Sequence, residues 1–235
     1  MAERLRSGVW LLDVGLVRPL NTNSYLVDDG TVTLIDTGLW VNWPSLRSEL
    51  AEAGYDPADI DRILLTHYDL DHTTGLGRLS SEFGGPIYIG QRDYDLATGG
   101  FDPPLCHHKG LFHRLVRPLF PIAGSDIRPV RDGERIGNFT VFDTPGHNPG
   151  HVAYVHEDGA AFVGDLFWER DGKLTPPVWL DSYDMDELRA SIVEFWSRAP
   201  PLDLLGMGHG DPITSDVARR YRELLAAVGG SSMQA

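Results

Sequence analysis

The chain of 235 residues is 42% hydrophobic and carries 34 acidic against 20 basic residues, a net charge of −14. That length buries a sizeable core and suits one larger α/β domain, while the negative balance repels phosphate backbones and anionic lipid, so neither nucleic acid nor membrane is an expected partner. The single cysteine, Cys106, excludes an internal disulfide and any CxxC zinc or redox motif, which leaves histidine and carboxylate as the metal-capable side chains.

The opening MAERLRSGVWLLDVGLV is interrupted by Asp13 and Gly15 and reads poorly as a signal peptide, and no later run approaches the roughly eighteen apolar residues of a membrane span. A cytoplasmic location and a small-molecule substrate are therefore expected. Residues 9–17, 23–30 and 31–38 are short apolar runs parted by Gly, Asn and Asp-Gly turn signals, which predicts antiparallel hairpins. A helix is predicted over Trp43–Ala53, closed by Gly54. DRILLTH at 61–67 then reads as a strand, followed by a short helix over 75–83 and a strand at PIYIG, 86–90. Residues 91–128 carry repeated Pro and Gly together with His107, His108, His113 and Cys106, and one helix is predicted over 109–119. A connection of that length inside a compact domain is more often functional than idle, so it is expected to cover the site.

Three more strands are predicted in 134–147, 151–159 and 160–165, then a helix over MDELRASIVEFWSR, a strand in DLLGMGHG and a closing helix from Ser215 or Asp216. Two strand–helix halves of like design predict two sheets packed face to face with helices outside, in one α/β domain spanning residues 1–235.

Four segments end predicted strands with metal-capable side chains: THYDLDH, DTPGHNPGH, FVGDLF and GMGHG. Strand ends on one rim of a layered α/β fold converge, so His67, Asp69, Asp71, His72, His147, Asp165 and His209 are candidate ligands. They exceed what one tetrahedral zinc takes and suit two adjacent cations sharing a carboxylate.

In order and spacing these segments, with LIDTG around Asp36, resemble the metallo-β-lactamase superfamily, whose pattern is an HxHxDH run, a later His in a TPGH-like turn, an Asp ending a strand and a final His in a Gly-flanked loop. The resemblance runs over residues 9–210, and four ordered elements are far more specific than one His-rich hexapeptide. It implies a four-layer αββα sandwich with the metals at one edge. It also implies a first cation on His67, Asp69 and His147, a second on Asp71, His72 and His209, Asp165 as the bridge, and catalytic parts for Asp71 and Asp165. Two divalent ions, zinc first, then make the chain a hydrolase in which a metal-bridging hydroxide attacks an ester, lactone or thioester carbonyl.

The pattern departs in one place: Asp69 stands where the family has His, giving HxDxDH. Asp69 either ligates, and as a hard anion admits iron or manganese, or falls short and leaves the first position weak. Iron opens an alternative, an oxidoreductase of dioxygenase or diiron type on the same fold. The resemblance to the lactonase branch is also incomplete, because Trp168 stands where a Tyr follows the bridging Asp, and indole offers only an N–H. Asp36 is expected to tie turn amides near the site. His151 either supports a ligand or faces outward, His107, His108 and His113 are expected in the cover, and Cys106 has no neighbours that would activate a thiol.

Overall fold

The computed structural model describes residues 2–14, 22–124 and 126–231, the side chains of 230 and 231 excepted. The chain opens with β1 (Glu3–Arg6), β2 (Val9–Val14), β3 (Thr22–Asp28) and β4 (Val32–Ile35), paired antiparallel in sequence order. Residues 15–17, the end of the first predicted strand, lie outside the described residues. The sheet then continues in parallel through β5 (Arg62–Leu65), β6 (Ile87–Gly90) and β7 (Ile127–Val130), giving seven strands in chain order.

A second sheet is built from β8 (Arg135–Ile136), β9 (Phe139–Asp143), β10 (Val152–His156) and β11 (Ala160–Gly164), all antiparallel. A separate hairpin follows, β12 (Trp168–Arg170) with β13 (Lys173–Thr175), turning at Asp171 and Gly172, both at positive φ. An Asp-Gly pair between short strands is a strong hairpin signal, so this element was legible though not predicted. Last, β14 (Leu204–Met207) pairs parallel to β11 and closes an order β14-β11-β10-β9-β8.

Side-chain alternation along these strands makes three apolar layers. Between the sheets, Tyr25, Val27, Ile35 and Leu64 of the first meet Phe139, Val141, Val152, Tyr154 and Phe162 of the second. Their neighbours in sequence face outward. Leu26, Leu34, Ile63 and Leu65 pack under α1 (Trp43–Ala53), with α2 (Leu70–Thr73), α3 (Leu76–Leu79) and α4 (Gln91–Thr98) along the same side. After α5 (His108–Val116), the outer face of the second sheet, with Val155, Val163 and Leu205, is covered by α6 (Met185–Arg198) and α7 (Val217–Ser231) through Leu188, Ile192, Phe195 and Tyr221. The result is the expected four-layer αββα sandwich. No described helix is long and apolar enough to cross a membrane.

Helix ends follow local chemistry. Gly54 closes α1 in the left-handed region at φ 92, its N–H reaching the carbonyls of Leu50 and Ala51. Asp184 caps α6, its carboxylate accepting from the amides of Asp186 and Glu187. The helix predicted over 109–119 is observed as α5, His108–Val116. It begins one residue earlier because His107 caps it, Nδ1 accepting from Gly110 N at 3.0 Å.

Candidate metal centre

The four segments that end β5, β9, β11 and β14 meet on one rim. His67, Asp69, Asp71 and His72 come from the turn and short helix after β5, His147 from the turn after β9, Asp165 from the end of β11, and His209 from the turn after β14. Buried polar ties bring these turns together. The Asp93 carboxylate accepts from the amides of Tyr68 (2.7 Å) and Gly150 (2.7 Å), joining the first two segments. Asn23 and the Tyr25 hydroxyl donate to the Met207 carbonyl at 3.0 and 2.8 Å, holding the fourth against the first sheet. Next to His209, a side chain on Gly208 would collide with Asp165 Oδ1 and the His72 ring, so only glycine allows this approach.

Asp36 supports the centre from behind. It sits at φ 58 and its carboxylate accepts from Thr66 N (2.8 Å) and Thr66 Oγ1 (2.7 Å), while Oδ2 lies 2.8 Å from His72 Nδ1. With Nδ1 bound there, His72 Nε2 faces the site. His151 supports it from the side: Nδ1 meets Thr144 Oγ1 at 2.8 Å and Nε2 accepts from Asp165 N at 3.0 Å. Burial, with the imidazoles of His67 and His147 nearby, pushes His151 well below the usual range, as a neutral acceptor requires.

One half of the site is open. His209 Nε2 lies 3.4 Å from both Asp71 Oδ2 and Asp165 Oδ2, and His72 Nε2 lies 3.6 Å from Asp165 Oδ1 and 3.8 Å from Asp71 Oδ2. Ligands about 2.0–2.1 Å from a tetrahedral zinc stand roughly 3.3–3.4 Å from one another, so this spacing fits a single cation. His67 Nε2, His72 Nε2 and Asp165 Oδ1 are buried with no hydrogen-bond partner among the described residues, and these three side chains place ligand atoms within 4.8 Å of one another. The electrostatics also favour positive charge. Burial opposes protonation of His72, yet Asp36, Asp71 and Asp165 raise it to about 9; burial likewise opposes protonation of His209, and Asp165 with Asp71 raises it to about 11. Asp71 is held at about 2, because His72 and His209 outweigh its burial.

The other half is filled by a side chain from α5. Lys109 Nζ stands 2.8 Å from Asp69 Oδ2, 3.0 Å from His147 Nε2 and 2.8 Å from the Asp181 carbonyl. The remaining Asp69 oxygen takes His113 Nε2 and Asn148 Nδ2, each at 2.9 Å, and His113 Nδ1 in turn meets the Tyr183 hydroxyl at 2.8 Å. Burial works against the Asp69 carboxylate, but the Lys109 charge and the nearby imidazoles hold it well below the ordinary range. Burial and the same ammonium push His147 down.

A model of the metallo-beta-lactamase superfamily matches residues 17–225. The chain belongs to that superfamily. Among curated relatives, the probable metallo-hydrolase YybB of Bacillus subtilis is 31% identical over 180 residues, 75% of this chain and 74% of its own. A hydroxyacylglutathione hydrolase of Shewanella baltica is 30% identical over 178 residues, 74% of this chain and 54% of its own. Among solved structures, the metallo-beta-lactamase family protein TTHA1429 of Thermus thermophilus superposes with a TM-score of 0.73 at 25% identity, over 97% of this chain and 81% of that one. As a member of the metallo-hydrolase superfamily, the chain is a metal-dependent hydrolase.

Within this superfamily member, all seven expected residues reach the rim. His67, Asp69 and His147 do come together, and Lys109 stands between the last two. His113, expected as a cover residue, touches the site through Asp69. His107 and His108 tie the start of α5 to residues 179–183, their Nε2 atoms meeting the carbonyls of Tyr183 (2.9 Å) and Trp179 (3.1 Å), and Cys106 is exposed. Sequence reasoning missed Lys109, Asn148 and Asp181. Outside the cluster opens a cleft of about 1050 Å³ whose lining includes Leu39, Leu70, Phe112, Trp168, Leu180 and His209. Trp168, delivered by the β12–β13 hairpin, has a buried indole N–H without an acceptor among the described residues.

Proposed function

We propose that this hydrolase cleaves a carboxylic ester, lactone or thioester with an apolar acyl part, at a zinc-type centre on the open half of the rim. The observation that carries this reading is the convergence of His67 Nε2, His72 Nε2 and Asp165 Oδ1, buried and unpartnered among the described residues. An unpaired buried polar atom costs roughly 1–3 kcal/mol, and a cation beside His72 and Asp165 relieves that cost for these two. Asp71, His72, Asp165 and His209 would hold it, with His67 within reach. A divalent cation supplies Lewis acidity there, polarising a carbonyl and bringing the pKa of water toward about 7.

The protein's own groups supply the rest. Asp71, whose Oδ2 also accepts from Thr22 Oγ1 at 3.1 Å, is placed to take and orient a water proton. Trp168 lines the cleft, and a swing of its indole would bring the now buried N–H to a substrate carbonyl oxygen, the part for which the lactonase pattern uses a tyrosine. Leu39, Leu70, Phe112 and Leu180 line the cleft and would pack an acyl chain and exclude water. The likeness to a hydroxyacylglutathione hydrolase supports an acyl substrate. The reason for an iron-dependent oxidoreductase was Asp69 as a hard ligand, and that reason weakens because its oxygens are engaged by Lys109, His113 and Asn148.

The test is to strip the protein with a chelator, assay chromogenic acyl esters, lactones and thioesters, and restore it with zinc. Hydrolysis lost on stripping and regained with zinc is expected; undiminished hydrolysis by metal-free protein would refute the reading.

A further inference from the structure

The first cation position of this superfamily member is built unlike the second. At the second, His72 Nε2 and Asp165 Oδ1 point inward without partners among the described residues, as the donors of a coordination shell do. At the first, His67 Nε2 is likewise unpartnered among the described residues, but Asp69 and His147 Nε2 carry hydrogen bonds instead. A carboxylate has about four lone-pair sites and an ammonium three donors. Asp69 spends three of its sites on Lys109, His113 and Asn148. Lys109 spends its donors on Asp69, the Asp181 carbonyl and His147. The ammonium's three donors are all used, and it occupies the space between Asp69 and His147.

The pair is also costly to separate. Lys109 is 5% and Asp69 9% exposed, and removing one partner of a buried ion pair strands the other at a cost of about 3–5 kcal/mol. A divalent cation entering this position would have to displace an ammonium already satisfied and expel its charge into a site where His67 and His147 offer no counter-charge. The departure in the motif has the same cause. An ammonium donates and never accepts, so it needs a carboxylate opposite it. A neutral imidazole at position 69 would offer one lone pair and no compensating charge.

We infer that this protein is a one-cation enzyme in which the Lys109 ammonium, paired with Asp69, permanently takes the place of the first metal, and that the single cation binds at Asp71, His72, Asp165 and His209. Lys109 is thus a positioning residue, holding Asp69 and His147 as a metal would hold them. This inference rests on the hydrolase reading above, but its readout is stoichiometry and not turnover.

The experiment is native mass spectrometry of the full chain after reconstitution with excess zinc and removal of loosely bound ion. One zinc per wild-type chain is expected. Two would overturn the inference and leave the hydrolase reading standing; none would overturn both. Lys109→Ala should open the first position and raise the count from one to two, and a folded Lys109→Ala chain that still takes one would overturn the assignment of Lys109 as the occupant. Should that variant not fold, the wild-type count and Asp69→Asn still decide. Zinc affinity of Asp69→Asn within about threefold of wild type is expected, because Asp69 is not a ligand. A loss of about tenfold or more, the scale of a disturbed coordination sphere, would overturn it.

Discussion

The Asp36 carboxylate lies 2.8 Å from His72 Nδ1 and holds the ring so that Nε2 faces the rim. Asp36 is itself held at positive φ, anchored to Thr66 through both the amide and the hydroxyl. Carboxylates behind metal-binding imidazoles set the tautomer and raise ligand basicity, and removing them costs about 10–100-fold in metal affinity. Asp36→Ala is therefore expected to weaken zinc binding by that factor while the chain stays folded, measured by competition with a calibrated chelator. Unchanged affinity would mean that the Asp36–His72 contact does not orient the ring.

Trp168 tests the substrate side of the centre. Its N–H is buried and without an acceptor among the described residues, so Trp168→Phe removes a donor and keeps an aromatic ring against His209, whose ring centroid is 5.1 Å away. Loss of one donor to a developing oxyanion costs about 10²–10³ in rate. A fall in kcat of that order with unaltered zinc content is expected, and a kcat within twofold of wild type would remove Trp168 from the mechanism.

The cleft should reveal itself through chain length. Phe112 and Leu180 line it while remaining 48% and 68% exposed, so an acyl tail laid across them would cover apolar surface now facing water. Each buried methylene is worth about 0.8 kcal/mol, so kcat/KM should climb with acyl length by up to about fourfold per carbon. The slope should flatten in Phe112→Ser; equal slopes in both proteins would place the tail elsewhere.

Acid should weaken the fold through Asp29. Burial raises its pKa, but the His156 ring at 3.0 Å, the Thr31 amide and Asn138 together hold it below the ordinary carboxylate range. A carboxylate depressed in the folded state stabilises the protein above its unfolded pKa, and that contribution disappears as pH falls through the folded value. Urea midpoints taken at pH 6 and at pH 3 should therefore drop less in Asp29→Asn than in wild type. An equal drop would assign the acid sensitivity to other groups.

Phe195 reports on the outer apolar layer. It is 2% exposed, stacks edge-on to Phe142 with centroids 5.5 Å apart, and lies against Tyr221 of α7. Phe195→Ala should cost about 3–5 kcal/mol of unfolding free energy in denaturant titrations, and a loss under 1 kcal/mol would mean that α6 relaxes onto the gap.

What could be read from the sequence was mostly what short-range chemistry decides. The helix Trp43–Ala53 with its Gly54 terminator and the amphipathic run Met185–Arg198 are observed with the predicted bounds, because caps and a 3.6-residue period lie within the element itself. The seven rim residues were legible because each follows an apolar strand, and strand ends of a layered sheet share a rim. The role of Asp69 was not legible. Its partners Lys109, His113 and Asn148 lie 40 or more residues away, and a lysine in a Pro- and Gly-rich insertion has no periodicity or spacing to betray its destination. The β12–β13 hairpin is a different case, since Asp171-Gly172 stood in plain view and its local signal was passed over.

Because Lys109 grows from α5, that helix is riveted to the rim through Asp69. Swinging that helix outward would drag an ammonium into solvent and strand the Asp69 carboxylate, an opening that costs about 3–5 kcal/mol. With α5 held, the cleft lined by Phe112, Leu180 and Trp168 keeps its present walls. Turnover would then be governed by the girth of what passes through that doorway and not by the tempo of a hinge.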